Sequence, residues 1–475
     1  MKSEQRFAPI FNLAWFEYRR DFGTVRTWEH LGVSQSQTAM SKNFNELRKA
    51  GVKGVVWFLL ADGGAAPSFN SAGDIIGLDA TFLADFKAGL AIAEANEMSV
   101  VWVLMDHLWL KPAEMSGSAQ LFGHAHLLNN PMQQTVFLEK VLDPIVAIGS
   151  QSRSTAGWIV MNEPEVALGE GWTTEQKLYP FLSKVAGRVV EKHPGAAVSI
   201  GHVDVESLVD FQTDYPQAAV NFLNFHHYRN YMPPPAERVR QSIGGRRMPL
   251  YVGEFSWSDK TLQRPKGDLK SLVWGTFQLG YSGIWPWAID PKHNPAKDVD
   301  KYVETVLQAP KMQPLAVDSA GGAARQIEAW KAEITDHDLQ IALNQRKLSE
   351  TGALLITLEA DLVKQKAELE KARIAHDRLV HSLEESRAKI AKLRWLPWAG
   401  KDLAVEQANE KQLMDRMNVK QWLQQAEETF QKARAQVLEQ RNWSSQYEMR
   451  IRGNQYQLKS KQRHIPITRR LYDLP

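Results

Sequence analysis

The chain has 475 residues, too many for one ordinary domain, and its 44% hydrophobic and 23% charged residues are the balance of a globular protein. Its 57 basic and 54 acidic residues leave a net charge of +3, which excludes the strongly basic surface of a nucleic-acid-binding protein. The absence of cysteine excludes a disulfide framework, a thiolate metal site and a cysteine nucleophile. No run of about 18 apolar residues is present, so no membrane-spanning helix is expected. Residues 1–10 lack the apolar core of a signal peptide, and the expected compartment is the cytoplasm, with export under a leader outside this sequence as the alternative.

The first 300 residues alternate between short apolar runs and helical patterns. Residues 10–16 are strand-like. Met40, Phe44 and Leu47 recur at helical spacing within 37–50, and the unbroken apolar run at 52–60 reads as a strand buried on both faces. A helix is expected over 79–96, with Phe82, Phe86, Leu90 and Ala93 on one stripe. A strand at 99–105 ends at Asp106-His107, and a helix follows near 131–149.

The fourth strand, Trp-Ile-Val-Met at 158–161, stops at Asn162-Glu163-Pro164, where proline ends ladder hydrogen bonding just after a carboxylate. Then come a helix at 174–192, a strand at 197–201 and a helix at 204–212. A strand at 220–225 ends at His226-His227-Tyr228, and a helix is expected at 235–243. The seventh strand, 250–253, delivers Glu254; a helix at 268–279 and a strand at 283–287 ending Trp285-Pro-Trp287 complete the series. Eight continuous apolar strands with intervening helices specify an α/β (β/α)8 TIM barrel, with chemistry at the C-terminal strand ends. A doubly wound sheet is disfavoured because no glycine-rich phosphate loop follows the first strand.

Residues 308–324 read as a linker between a barrel domain, 1–307, and a helical region, 325–462. From 327, every seventh position up to 390 is Ile or Leu except His376, and a second seam runs from Trp330 to Leu393 with more polar residues. This is a coiled-coil pattern. Pro397 interrupts it within Arg394-Trp-Leu-Pro-Trp398, and a second helix is expected to about 460, which suggests an α-helical coiled-coil hairpin, with a rod kinked at Pro397 as the alternative. Such a device points to homo-oligomerisation or a protein partner. Trp395 and Trp398, with basic neighbours, make the tip a candidate peripheral membrane contact. Residues 463–475 read as a basic, mobile tail.

Two glutamates at the ends of buried strands are the pair that hydrolysis of a glycosidic bond with retention requires, one as nucleophile and one as acid/base. Asn162 is placed beside the acid to reach a sugar hydroxyl, and the Tyr228 hydroxyl to donate to the nucleophile. Among the 16 tryptophans, most of which precede residue 290, some are expected to line a sugar cleft. No His/Asp/Glu group has convincing metal-ligand spacing, and no cofactor is expected.

The Asn-Glu-Pro at 162–164, His-x-Tyr at 226–228, Gly-Glu at 253–254 and Gly-x-x-x-Trp at 283–287, each at its expected strand, resemble the clan A glycoside hydrolases, and most closely glycoside hydrolase family 5, the cellulase and β-mannanase family. The resemblance spans residues 8–300. It implies Glu163 as acid/base, Glu254 as nucleophile, Asn162 at the 2-hydroxyl, His226 and Tyr228 around the site, and Trp287 as a platform under the reactive sugar. Trp285, His107 and Trp15 are further candidate sugar contacts. The partner implied is a poly- or oligosaccharide with β-linkages. The sequence departs from the family at the end of strand two, Phe-Leu-Leu-Ala-Asp at 58–62, where an arginine beside the nucleophile is usual. That departure leaves open a non-catalytic glycan-binding barrel acting as a scaffold.

Overall fold

The computed structural model describes residues 7–25, 32–116, 119–256, 269–288, 296–311, 320–396, 398–416 and 418–475. Eight strands form a closed barrel: β1 (Ile10–Ala14), β2 (Gly54–Phe58), β3 (Ser99–Asp106), β4 (Thr155–Asn162), β5 (Val198–His202), β6 (Leu223–His226), β7 (Leu250–Ser256) and β8 (Gly283–Trp287). Each pairs in parallel with its sequence neighbours, and β8 closes on β1 through Asn12 and Trp287. The strand period of two divides each run between two cores. Val56, Phe58, Val101, Val103 and Ile159 fill the barrel interior. Val55, Trp57, Val100, Trp102 and Trp158 face outward beneath the helices, with Trp57 stacked on Trp102 at 5.5 Å between ring centres. This two-sided burial is why the strands read as unalternating apolar runs.

The outer layer comprises α1 (Gln37–Lys49), α2 (Ala80–Ala95), α3 (Pro131–Phe137, continuing as a π-turn through Leu142 and regular helix over Asp143–Gly149), α4 (Glu175–Lys192), α5 (Val205–Asp214), α6 (Ala236–Ser242), α7 (Leu269–Gln278) and α8 (Ala296–Gln308). The π-turn precedes Pro144, which has no N–H to continue an α-helical ladder. Asp79 caps α2 by accepting from the Phe82 N–H at 2.7 Å, and Asp204 caps α5 by accepting from the Ser207 N–H at 2.8 Å. The sequence pattern alone leaves α8 unassigned; it follows β8 as the eighth helix.

Beyond the barrel lie α9 (Ala320–Leu393), α10 (Gly400–Asp415) and α11 (Asn418–Tyr472). Residues 312–319 of the expected linker lie outside the described residues, and its last residues, 320–324, are the first turn of α9. The chain divides into two compact units, Met1–Leu339 with Arg452–Pro475, and Gln340–Ile451. The helical pair expected over 325–462 is therefore shared: its base belongs to the barrel unit. Residues 463–475, read from the sequence as a mobile tail, lie mostly within α11, where Thr468, Leu471 and Tyr472 are buried. Arg463 and Thr468 are held by acidic side chains on distant helices, and Leu471 and Tyr472 by the apolar core, none of which a local reading of basic charge reveals.

In the second unit, both seven-residue seams of α9 are at least half buried at every position from Ile341 to Leu393. Ion pairs join Glu359 to Arg441 (2.6 Å), Arg373 to Glu427 (3.4 Å) and Arg387 to Glu410 (2.8 Å). Partner numbers fall as α9 advances, so the returning helices run antiparallel to it.

Candidate active site

At the C-terminal mouth of the barrel lies a cleft of about 510 Å³ lined by residues from seven strand ends, among them Trp15, Asp62, His107, Asn162, Glu163, Tyr228, Glu254 and Trp287. Glu163 follows β4 with φ 46°, a left-handed backbone rare outside glycine, and Pro164 opens a one-turn helix immediately after it. This bend turns the strand's last carboxylate into the mouth; strained backbone of this kind concentrates at functional sites. Glu254 stands on β7 beside Gly253. A β-carbon at Gly253 would lie 1.7 Å from the Asn224 Oδ1, so only glycine fits between the two strands. Asn12 on β1 donates from Nδ2 to the Gly253 carbonyl at 2.8 Å, fixing the backbone just before the glutamate.

The carboxylates of Glu163 and Glu254 and a ring nitrogen of His226 all lie within 4.8 Å of one another. His226 Nδ1 is 2.7 Å from Glu163 Oε1 and 3.3 Å from Glu254 Oε2. Tyr228 donates its hydroxyl to Glu254 Oε2 at 2.7 Å. These three donor sets match what a divalent ion would need, but their atoms already bond to one another and to Tyr228.

Electrostatics make the pair a unit. Burial pushes the Glu254 carboxyl up to about 8, helped by the charge of Glu163 and opposed by His226 and the Tyr228 hydrogen bond. Burial also works against ionisation of Glu163, but its hydrogen bond to His226 and the imidazolium charge outweigh that and hold it below the ordinary glutamate value. His226, though deeply buried, is raised by the two carboxylates. Near neutral pH the empty site thus holds one dissociable proton between two carboxylates, the condition for one acid and one nucleophile.

Around this pair the cleft has an aromatic wall. Trp15 meets Tyr18 at 4.5 Å, Phe58 at 5.9 Å and Trp287 at 6.1 Å between ring centres. The loop carrying it is pinned by buried Asp21, which accepts from the Phe16 and Glu17 N–H groups and from the Trp57 indole. Opposite lie Asp106, which accepts from Asn162 Nδ2 at 3.4 Å, and His107, which faces Trp172.

The cleft brings together Glu163, Glu254, Asn162, Tyr228, Trp287, His107 and Trp15; His226 lies just beneath, bridging the glutamates. Trp285 is not among them. Two residues below Trp287 on the same inward face, it packs at a tilt against Tyr251, 4.9 Å between ring centres, and lines a cavity at the opposite end of the barrel. Strand alternation gives the face but not the depth. Tyr18, Phe58, Asp62 and Ser256 also line the cleft and were not foreseen; their strand-end positions were the available signal.

Among the described residues, no arginine or lysine lines the cleft. Arg19, from the loop after β1, pairs instead with Asp62 at the end of β2, sandwiched against Tyr18 and Phe122. The side chains that contact the Glu254 carboxylate are His226 and Tyr228.

No protein-family model matches the chain. Two curated relatives do, both named mannan endo-1,4-beta-mannosidase. That of Mytilus edulis is 22% identical, over 58% of this chain and 82% of its own length; that of Cryptopygus antarcticus is 20% identical, over 59% and 80%. Among solved structures, the Mytilus edulis β-mannanase superposes with a TM-score of 0.52 at 20% identity, covering 64% of this chain and 92% of its own. The β-1,4-mannanase of the sea hare Aplysia kurodai gives 0.51 at 21%, covering 65% and 94%. The matched share of this chain is about that of its barrel. The chain therefore has the closed parallel (β/α)8 barrel fold of these β-mannanases, extended by long C-terminal helices.

Proposed function

We propose that this protein is a retaining glycoside hydrolase that cleaves β-1,4-linked mannose-containing polysaccharide. The observation that carries the reading is the glutamate pair: two carboxylates within 4.8 Å at the mouth of an aromatic-walled cleft. Retaining enzymes hold their carboxyls about 5 Å apart, whereas inverting enzymes leave room for a water between them. The choice of mannan rests on the names of the curated relatives.

The reaction follows from the groups present. A sugar stacked on the aromatic wall places its anomeric carbon over Glu254 and its glycosidic oxygen beside Glu163. Glu163 is the more open of the two, its side chain 18% exposed against 6%. Covering it with substrate strips its water, favours its neutral form and moves the shared proton onto it. The Tyr228 hydrogen bond stabilises the ionised Glu254 that results. Glu254 attacks the anomeric carbon as Glu163 protonates the departing oxygen, leaving a glycosyl ester. Glu163, now a base, takes a proton from water; that water attacks the same carbon, the ester bond breaks, and the configuration is retained.

A panel of β-1,4-mannan, galactomannan, glucomannan and cellulose, with Glu163→Ala and Glu254→Ala beside the wild type, tests the assignment. Turnover of mannan abolished by both substitutions is the expected result. A scaffold reading is favoured by one observation, the absence of a cation from the strand-two position; glycan binding without turnover on any substrate would select it.

The paired helices of the second unit serve, in this reading, to tether the enzyme at an anionic membrane surface. Residues 386–401 contain five basic residues and no acidic one. Within them Trp395 is 87% and Trp398 81% exposed, with Leu396 beside them. Tryptophan prefers the headgroup region, and neighbouring lysine and arginine favour anionic lipid. No described helix is long and apolar enough to cross a membrane, so the contact is peripheral. Co-sedimentation with phosphatidylglycerol vesicles, lost in Trp395→Ala/Trp398→Ala and absent with phosphatidylcholine, is expected; equal recovery with and without vesicles would refute it.

A further inference from the structure

The base of the C-terminal helices touches the turns that follow β4 and β6, the strands that deliver Glu163 and Tyr228. After β6, Arg229 directly succeeds Tyr228. It donates from Nη1 to Glu206 Oε1 at 2.8 Å and to the Tyr231 hydroxyl at 2.8 Å, and from Nη2 to Asp204 Oδ2 at 2.9 Å. Two groups from the C-terminal helices complete this cage. The Trp330 ring of α9 lies 5.2 Å from the guanidinium, and the Thr468 hydroxyl of α11 donates to Glu206 Oε1 at 2.6 Å. Tyr472 packs edge-on against Tyr231 and donates to the Met232 carbonyl. The approach is close: a β-carbon on Gly322 would meet the Tyr231 side chain at 2.2 Å.

The turn after Glu163 is met in the same way. A β-carbon on Gly453 of α11 would lie 2.4 Å from the Gly169 carbonyl, and Arg452 donates to the Gly171 carbonyl at 3.2 Å. Arg463 pairs with Glu175, with Asp210 at 3.2 Å and with Asp214 at 3.4 Å, tying α11 to α4 and α5. The matched relatives align over about the barrel's share of this chain, so these contacts come from its own extension.

We propose that Trp330 and Thr468 are positioning residues for the catalytic pair: through Arg229 and Glu206 they fix the loop that aims the Tyr228 hydroxyl at Glu254, making the helical base part of the catalytic unit. The inference rests on the hydrolase reading above. Around Arg229 the charged and titratable groups are Asp204, Glu206 and Tyr231, with His464 of α11 acting on Asp204. Around Glu254 they are His226, Glu163, Tyr228 and Asp106. Loosening the cage lets Tyr228 leave Glu254, which removes a group that favours the ionised nucleophile.

The test uses the full chain. Thr468→Val keeps the buried shape and deletes one donor; Trp330→Ala deletes the ring over Arg229, and Trp330→Phe restores an aromatic face. Thr468→Val and Trp330→Ala are expected to lower kcat by roughly 2- to 30-fold with KM little changed, the range of coupling through packed networks. Both should move the alkaline limb of the pH profile upward, and Trp330→Phe should recover most of the loss. In a Tyr228→Phe background neither substitution should have a further effect, because the bond they act through is gone. Additive losses in that background, or an unmoved limb, would overturn the proposal. Should the wild type turn over no glycan, the hydrolase reading fails by itself. The positioning claim is then read from the Glu254 titration, by carbon-13 NMR of glutamate-labelled protein assigned with Glu254→Gln. An upward shift in Thr468→Val sustains it and an unchanged titration refutes it.

Discussion

Replacing Tyr228 by phenylalanine isolates one hydrogen bond in the site. The phenol donates to Glu254 at 2.7 Å where the carboxylate is nearly dry, so the ring can be kept and only the donor removed. A hydrogen bond to a charged group contributes about 1.5–3 kcal/mol. At 1.36 kcal/mol per pKa unit, its loss raises the Glu254 value by roughly one to two units. The sign follows from the state stabilised: Tyr228 favours the carboxylate, so without it the proton is held to higher pH. Activity requires one proton on the pair. The alkaline limb of kcat/KM, set near the value of about 8 for Glu254, should therefore move toward pH 9–10 while the plateau falls roughly 10- to 100-fold, because the proton stays on the nucleophile. A pH profile from 4 to 11 on a soluble mannan reads both. A plateau that falls without any movement of the limb would refute the reasoning and make Tyr228 a sugar contact only.

Three further outcomes follow from the same geometry. Gly253→Ala forces a β-carbon into Asn224 and should cost about 1–3 kcal/mol of stability, measured by denaturant titration, with an activity loss of roughly a hundredfold from displacement of Glu254. Trp287→Ala should raise KM on mannan oligosaccharides with the pH profile unchanged, since it removes a stacking face and no titrating group. In Glu254→Ala, added azide should restore activity with an α-glycosyl azide as product, since a small anion replaces the missing nucleophile; in Glu163→Ala it should give the β-azide.

The barrel was legible because burial on both strand faces writes itself as continuous apolar runs, and because each run ends in residues of a different character: Asp106, Glu163, His226, Glu254, Trp287. Helix α8 escapes the sequence pattern because the residues that anchor it in the core, Val299, Tyr302, Val303 and Val306, come after a long polar stretch. Trp285 and Trp287 share an inward face, and only the stagger of the barrel sends one to the sugar cleft and the other to the opposite end. The heptads of α9 showed which face is buried but not against what. Trp330 and His337 continue the pattern of a helical pair, yet they belong to the barrel unit. Arg229 carried no signal beyond its place after Tyr228, because its partners Asp204, Glu206 and Trp330 are separated from it by tens of residues.

The central claim is retention by a glutamate pair, and the anomeric form of the first product tests it most directly. Proton NMR of an aryl β-mannooligosaccharide during its first minutes with the enzyme should show the β-anomer of the released sugar accumulating before mutarotation. Initial appearance of the α-anomer would contradict the assignment of Glu254 as nucleophile and Glu163 as acid/base.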